Sequence, residues 1–201
     1  VFLTVRSAGR DEERREYLVQ CAIEVIAELG VKRASLSEIA SRAAITKGAI
    51  FYHFTNRKEL LDAVFTTVAG RGAGFIQERM AGASGPTARL RAYLEAFPAA
   101  LLIAPNDIHA MIAVAAEHEL GGDPALEEMA LAPIEEILRE GQRTGEFLDF
   151  PIRSMALAIR GTTETLPGYA ARHPDLDLTA HGRALADLFE RAVTGTVAHN
   201  G

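Results

Sequence analysis

Cysteine is almost missing from this chain: Cys21 is the single one among 201 residues. No intrachain disulfide can therefore staple the fold, which fits a reducing, cytoplasmic setting. Long hydrophobic runs are missing too. The longest nearly uninterrupted apolar stretch, Ala96 to Ala104, contains Pro98 and falls well short of the ~20 residues a membrane span needs. Val1 to Val5 is apolar, but no basic region precedes it and no small-residue cleavage site follows, so it is not expected to act as a signal peptide. No alternating run of β-branched and aromatic residues bounded by turn residues is present, which excludes a convincing strand. Internal repeats and low-complexity segments are likewise absent. Positive charge is in short supply, with 21 Lys and Arg against 27 Asp and Glu for a net charge of -6. That sum argues at first against nucleic acid, whose affinity for protein comes largely from basic side chains neutralising phosphates. The distribution reverses the argument: residues 1 to 60 hold ten basic against eight acidic residues, and residues 61 to 201 hold eleven against nineteen. Any DNA-facing surface is expected within the first sixty residues.

What is present is an ordinary globular composition, 48% hydrophobic and 24% charged, with 17 Gly and 8 Pro. The length suits two unequal units. Helical periodicity dominates, and the fold class is all-α. Asp11 to Leu29 puts Leu18, Ala22, Val25, Ile26 and Leu29 on one face, with Gly30 as a left-handed C-cap. Either Ser35 or Ser37 can cap a short second helix whose Leu36, Ile39, Ala40 and Ala43 share a face. Thr46 can cap a third, ending near Phe54, and Asn56 a long fourth that begins Arg57-Lys58-Glu59-Leu60-Leu61. Further helices are expected at 57 to 81, 87 to 103, 107 to 119, 124 to 143, 152 to 171 and 178 to 195, with Pro98 and Pro133 kinking or interrupting two of them.

Leu36 to Phe54 has the layout of a helix-turn-helix, two short helices joined by a tight turn. Burying Ile50 and Phe54, four residues apart, leaves Lys47, Gly48, Phe51 and Tyr52 on the opposite side of the second helix. Gly48 and Ala49 are small enough for the backbone to approach base edges closely. Thr46 suits a phosphate. Tyr52 and His53 bring a hydroxyl and an imidazole that can hydrogen-bond backbone oxygens and set the register.

The run Ile39-Ala40, Ala43, Ile45-Thr46-Lys47-Gly48-Ala49-Ile50, Tyr52-His53-Phe54 and Asn56-Arg57-Lys58-Glu59-Leu60-Leu61 resembles the DNA-binding domain of the TetR family of bacterial regulators over about residues 12 to 60. The resemblance implies that Thr46, Tyr52 and His53 contact phosphates and that Lys47, Gly48 and Ala49 lie at bases. Arg57 stands where the family usually has a phosphate-binding Lys, Lys58 extends the basic surface, and Ser35 and Ser37 are further phosphate candidates. Two positions depart from the family pattern. Ala44 occupies a turn position commonly held by Gly, so it must avoid positive φ or accept a small strain. Phe51 replaces a frequent Tyr and cannot make a hydroxyl contact.

By the same resemblance, residues 10–56 form the three-helix reading domain and residues 57–201 a larger helical ligand-binding and dimerisation domain. A cytoplasmic homodimer that represses transcription from double-stranded operator DNA, and is released by a small apolar or amphipathic molecule, is what the family implies. Candidate pocket residues are Phe75, Tyr93, Phe97, Leu101, Met111, Ile112 and Leu131, with His109, His118, Arg160, Thr163 and Glu164 as polar anchors. Independently of the family, Ile152, Met155, Ile159, Thr162 and Leu166 recur at helical spacing, as do Leu185, Leu188, Phe189, Ala192 and Val193. Two such stripes per subunit suit a four-helix dimer interface, or else packing within one subunit. Gly70, Gly72 and Gly74 weaken the fourth helix, each by roughly 1 kcal/mol relative to Ala. They mark a bend, a frayed segment or a close helix contact.

Enzyme chemistry finds little footing. His109, Glu117, His118 and Glu119 lack the spacing that puts two imidazoles on one helical face, so neither a metal nor another cofactor is expected. Gly70-Arg71-Gly72-Ala73-Gly74 follows no strand, and no Gly-x-Ser-x-Gly elbow occurs. A ligand-binding adaptor without DNA affinity would be expected to have lost the basic and aromatic residues at 46 to 57, which remain.

Overall fold

The computed structural model describes residues 2–117 and 124–195, and its described elements are helical throughout. In chain order they are α1 (Phe2–Leu29), a short 3₁₀ turn (Val31–Arg33), α2 (Leu36–Arg42), α3 (Lys47–His53), α4 (Arg57–Ala81), α5 (Pro86–Ile103), α6 (Pro105–Glu117), α7 (Pro124–Thr144), α8 (Ile152–Arg172) and α9 (Leu178–Thr194). This is the all-α architecture expected: a three-helix helix-turn-helix assembly followed by a larger helical portion. No single helix among the described residues is long and apolar enough to cross a membrane.

Two compact units emerge, Val1–Arg71 with Asn106–Gly121, and Gly72–Pro105 with Gly122–Gly201. In the first, Leu18, Ala22, Val25 and Ile26 of α1 pack with Leu36, Ile39 and Ala40 of α2, Ile50 of α3, Phe54, and Leu60, Leu61 and Val64 of α4. Ala110 and Val114 of α6 complete this core from more than forty residues downstream. Arg42 clasps Glu28 through both guanidinium nitrogens, tying α2 to α1. The caps follow the side chains available. Ser35, not Ser37, accepts the Glu38 N–H at 3.1 Å, and Asn56 accepts that of Glu59 at 2.9 Å. Glu59 in turn accepts the Thr55 N–H, which together with Arg15 holds its carboxyl below the usual range.

The second unit is built on α5, α7, α8 and α9, with Ile76 and Met80 of α4 packed against its core. Arg91 of α5 joins α9 through Asp187 and Glu190. Gln142 donates to the carbonyls of Leu148 and Phe150, holding the α7–α8 connection so that Phe147 folds back into the core.

Three expectations need correcting. Of the two effects expected of Pro98 and Pro133, kinking or interrupting, interruption is overturned, because both lie inside continuous helices, as Pro167 does in α8. At Pro98 the compensation is packing: the ring is buried and sits where a Cβ on Gly182 of α9 would come within 3.1 Å. Gly30 has positive φ (81°) but an extended ψ (154°), so it opens the 3₁₀ turn instead of closing α1 in left-handed geometry. α1 itself begins ahead of Asp11, where apolar periodicity starts.

One glycine in the second unit is required by contact. A Cβ on Gly141 would lie 2.0 Å from Cδ2 of buried Phe147. Gly141→Ala is expected to displace the ring and destabilise the protein by about 1–3 kcal/mol, read as a lowered denaturation midpoint. An unchanged midpoint would show that Phe147 has another place to go.

Candidate nucleic-acid interface

α3 is only seven residues long, and two anchors set its orientation. Ile50 and Phe54 have no exposed surface, and Arg15 of α1 stacks its guanidinium 4.5 Å from the Phe54 ring centroid. At the start of α3, the Thr46 hydroxyl accepts the Ala49 N–H at 3.2 Å, leaving its own proton free to donate. The face opposite the anchors carries Lys47, Gly48, Ala49, Phe51 and Tyr52, all exposed. Tyr52 is 76% exposed, the largest value among the exposed large hydrophobic residues, and its ring meets half-buried His53 edge-on at 5.1 Å. Such exposure of an aromatic ring on an otherwise anchored helix is unfavourable unless something covers it. Packing does not require Gly48 to be small, because a Cβ there meets nothing closer than 3.9 Å.

The turn before α3 has one conformational oddity. Ala44 sits at φ 53°, the single non-glycine residue with positive φ among the described residues, while the Ala44 and Ile45 N–H groups donate to Ser41 and Ala40 carbonyls. The strain alternative raised by the sequence is therefore the one realised.

The remaining candidates divide. Ser35 and Ser37 are exposed at the start of α2, with Ser35 also serving as its cap. Lys58 is exposed and pairs with Asp62 at 2.7 Å. Arg57 is committed elsewhere: its Nε donates to the Ala34 carbonyl at 3.1 Å, Nη2 to the Val31 carbonyl and Nη1 to Glu117 of α6 at 2.9 Å. It ties the 3₁₀ turn and α6 to the head of α4, and three of its five N–H donors are taken by these contacts. Sequence reading passed over Lys32 and Arg33, which stand exposed in that turn just ahead of α2. Their charge was countable, but the turn that presents them left no periodic signal.

The candidate ligand residues divide between the two compact units. His109, Met111 and Ile112 belong to the first compact unit, with His109 and Ile112 exposed, whereas Phe75, Tyr93, Phe97, Leu101, Leu131, Arg160, Thr163 and Glu164 belong to the second. Tyr93, Leu101, Leu131 and Thr163 are buried there, and His118 lies outside the described residues. The dimer candidates also need revising. Ile159, Leu166 and Phe189 are buried by their own chain, which leaves them almost no surface to give a second copy. Ile152, Met155 and Leu185 are half-buried against that core, and Leu188 and Ala192 are exposed. The outward face of α8 instead carries Leu157, Ala158, Gly161 and Thr165, and that of α9 Ala184, Leu188 and Ala192. A helical stripe that serves the core looks the same in sequence as one that serves a partner. Among the described residues, no group of three or more His, Cys, Asp and Glu side chains is placed to hold a metal ion.

Comparison with known proteins agrees with this geometry. The model of the family described as bacterial regulatory proteins, tetR family, matches residues 18–64. The transcriptional regulator SrpR of Pseudomonas putida is 37% identical over 62 residues, which is 31% of this chain and 29% of SrpR. The transcriptional regulator BetI of Yersinia pestis (strain Pestoides F) is 30% identical over 89 residues, 43% of this chain and 45% of BetI. The chain thus spans less than half the length of these curated relatives. Likeness of fold extends further. The fatty acid degradation regulator FadR from Bacillus halodurans superposes with a TM-score of 0.76 at 24% identity, covering 93% of this chain and 97% of that one. The TetR family transcriptional regulator PfmR from Thermus thermophilus gives 0.73 at 19% identity, covering 88% and 95%.

Ala44→Gly is expected to relieve the strained turn and raise stability by about 1 kcal/mol, measured by thermal unfolding. A loss of stability would place the strain elsewhere. Buried anchors on one side of α3, an exposed face on the other and a matching family model over residues 18–64 lead to one identification: the amino-terminal domain of this chain is similar to that of the TetR family of bacterial regulatory proteins.

Proposed function

We propose that this chain is a sequence-specific transcriptional repressor that binds double-stranded operator DNA as a homodimer and leaves it when a small molecule binds. The observation that carries the reading is the exposed Lys47, Gly48, Ala49 and Tyr52 face of α3, held outward by fully buried Ile50 and Phe54. Lys47, Gly48 and Ala49 sit at base edges in the major groove, where a small helix start allows close approach. Thr46, Tyr52 and His53 donate to phosphates, with Ser35, Ser37 and Lys58 beside them, and Lys32 and Arg33 add charge. In this reading residues 10–56 contact DNA and residues 57–201 hold the ligand and the second subunit. Two reading heads engage half-sites about one duplex turn, ~34 Å, apart. The dimer forms through the outward faces of α8 and α9, centred on Leu157, Gly161 and Leu188.

The test is binding of the purified protein to its own upstream DNA across a salt series, with sedimentation alongside. Lys47→Ala is expected to flatten the slope of log K against log salt by about one unit, and Tyr52→Ala to weaken binding about tenfold. Leu188→Arg is expected to sediment as a monomer and lose operator affinity. If wild type prefers no sequence over random DNA, the repressor reading fails.

Ligand response is assigned to α4. The division between the compact units falls between Arg71 and Gly72, within α4, among three glycines. A Cβ on Gly70, Gly72 or Gly74 would meet nothing within 4 Å, so no close contact explains them. What remains is a locally weak helix able to bend when ligand binds. Replacing all three with Ala is expected to stiffen α4 and preserve operator binding while suppressing release by an effector found by screening. Release at the wild-type effector concentration would rule the glycines out as the bending point.

A further inference from the structure

Phe51 is the one residue of the exposed α3 face to which the repressor reading gives no role. It is 45% exposed, and among the described residues no other ring and no guanidinium stacks on it. Tyr52, on the same face, can offset its exposure through its hydroxyl. A phenyl ring has no polar atom, so it gains only by being covered. The hydrogen-bonding capacity of the face is also small. Of Lys47, Gly48, Ala49 and Phe51, Lys47 alone carries a polar side-chain atom. One ammonium can specify one base, typically guanine through O6 and N7. An operator read by this face therefore needs a second source of sequence information. The apolar feature that base edges present in the major groove is the C5-methyl group of thymine.

We propose that Phe51 is a specificity-determining residue, whose ring packs on the C5-methyl of a thymine two base-pair steps along the groove from the base that Lys47 contacts. The spacing supports this. Lys47 and Phe51 stand one turn apart, about 6 Å along the helix axis, close to two base-pair steps of ~3.4 Å each. Gly48 supports it as well. A Cβ there would meet nothing closer than 3.9 Å, so the fold does not require glycine, whereas close approach of α3 to the groove floor does favour it. A phosphate is a poor partner for the ring, because it would give up hydration and receive no hydrogen bond in return. The inference rests on the repressor reading above and names the chemistry of its operator: each half-site combines a guanine with a thymine two steps away.

The test starts from duplexes enriched out of a random pool by the purified full chain. The preferred duplex is resynthesised with each thymine in turn replaced by deoxyuridine, which removes the methyl group and keeps every hydrogen-bonding atom. At one symmetry-related pair of thymines, replacing both is expected to weaken binding about tenfold. In place of those thymines, 5-methylcytosine should bind more tightly than cytosine. Phe51→Ala is expected to bind the thymine and deoxyuridine duplexes equally. A second enrichment with Phe51→Gln is expected to change the preferred base at that position alone, a result that misfolding of the alanine variant could not imitate. Deoxyuridine tolerated at every thymine, a thymine preference that survives Phe51→Ala, or an unchanged preferred sequence from Phe51→Gln overturns the assignment while leaving sequence-specific binding intact. Enrichment of no sequence over random DNA removes both readings together.

Discussion

A seven-residue helix has no independent stability in water, since the cost of nucleating it exceeds what two turns return. α3 exists because Ile50 and Phe54 insert fully into the core formed by α1, α2 and α4. That burial decides which face of α3 remains outside, and with it everything the amino-terminal unit offers to a partner. Thr46 adds a cap at one end, and Arg15 covers the Phe54 ring at the other. The strain at Ala44 is tolerated for the same reason: the turn must deliver α3 at the angle that seats both anchors, and a cost of order 1 kcal/mol at one residue is small beside two buried large side chains.

The same core also takes in a helix from far along the chain. Ala110 and Val114 of α6 are fully buried in it, and the helix is pinned near both ends, by Arg71 to Asp107 at 3.1 Å and by Arg57 to Glu117 at 2.9 Å. Exposed ion pairs contribute little, typically below ~1 kcal/mol each. Here they chiefly specify register, while the apolar contacts hold the helix. Arg57 changes meaning in this setting. As a residue in a basic cluster it invites a phosphate; as a side chain that donates to Ala34, Val31 and Glu117, it is a strut for the amino-terminal unit.

In the second unit the organising contact is the crossing of α5 and α9, made close by Gly182 against Pro98 and fixed by Arg91. Filling that core uses up side chains that periodicity marks as interface, among them Ile159, Leu166 and Phe189. Helical spacing reports that a residue is turned away from water; it does not say whether the cover comes from the same chain.

By itself the sequence determined the helical class, nearly every helix limit beyond residue 30, the caps at Thr46 and Asn56, and the outward face of α3. All of these are local, set by periodicity of about one turn and by single side chains at helix ends. Tertiary structure alone decided which apolar stripes face inward, that α6 joins the amino-terminal core, and that Arg57 is already engaged by Ala34, Val31 and Glu117. Those outcomes depend on pairs of residues from 23 to 99 positions apart, as with Ala34 and Arg57 or Arg91 and Glu190. A pattern read along the chain carries no record of which distant side chain arrives to satisfy a donor, or whether one arrives at all.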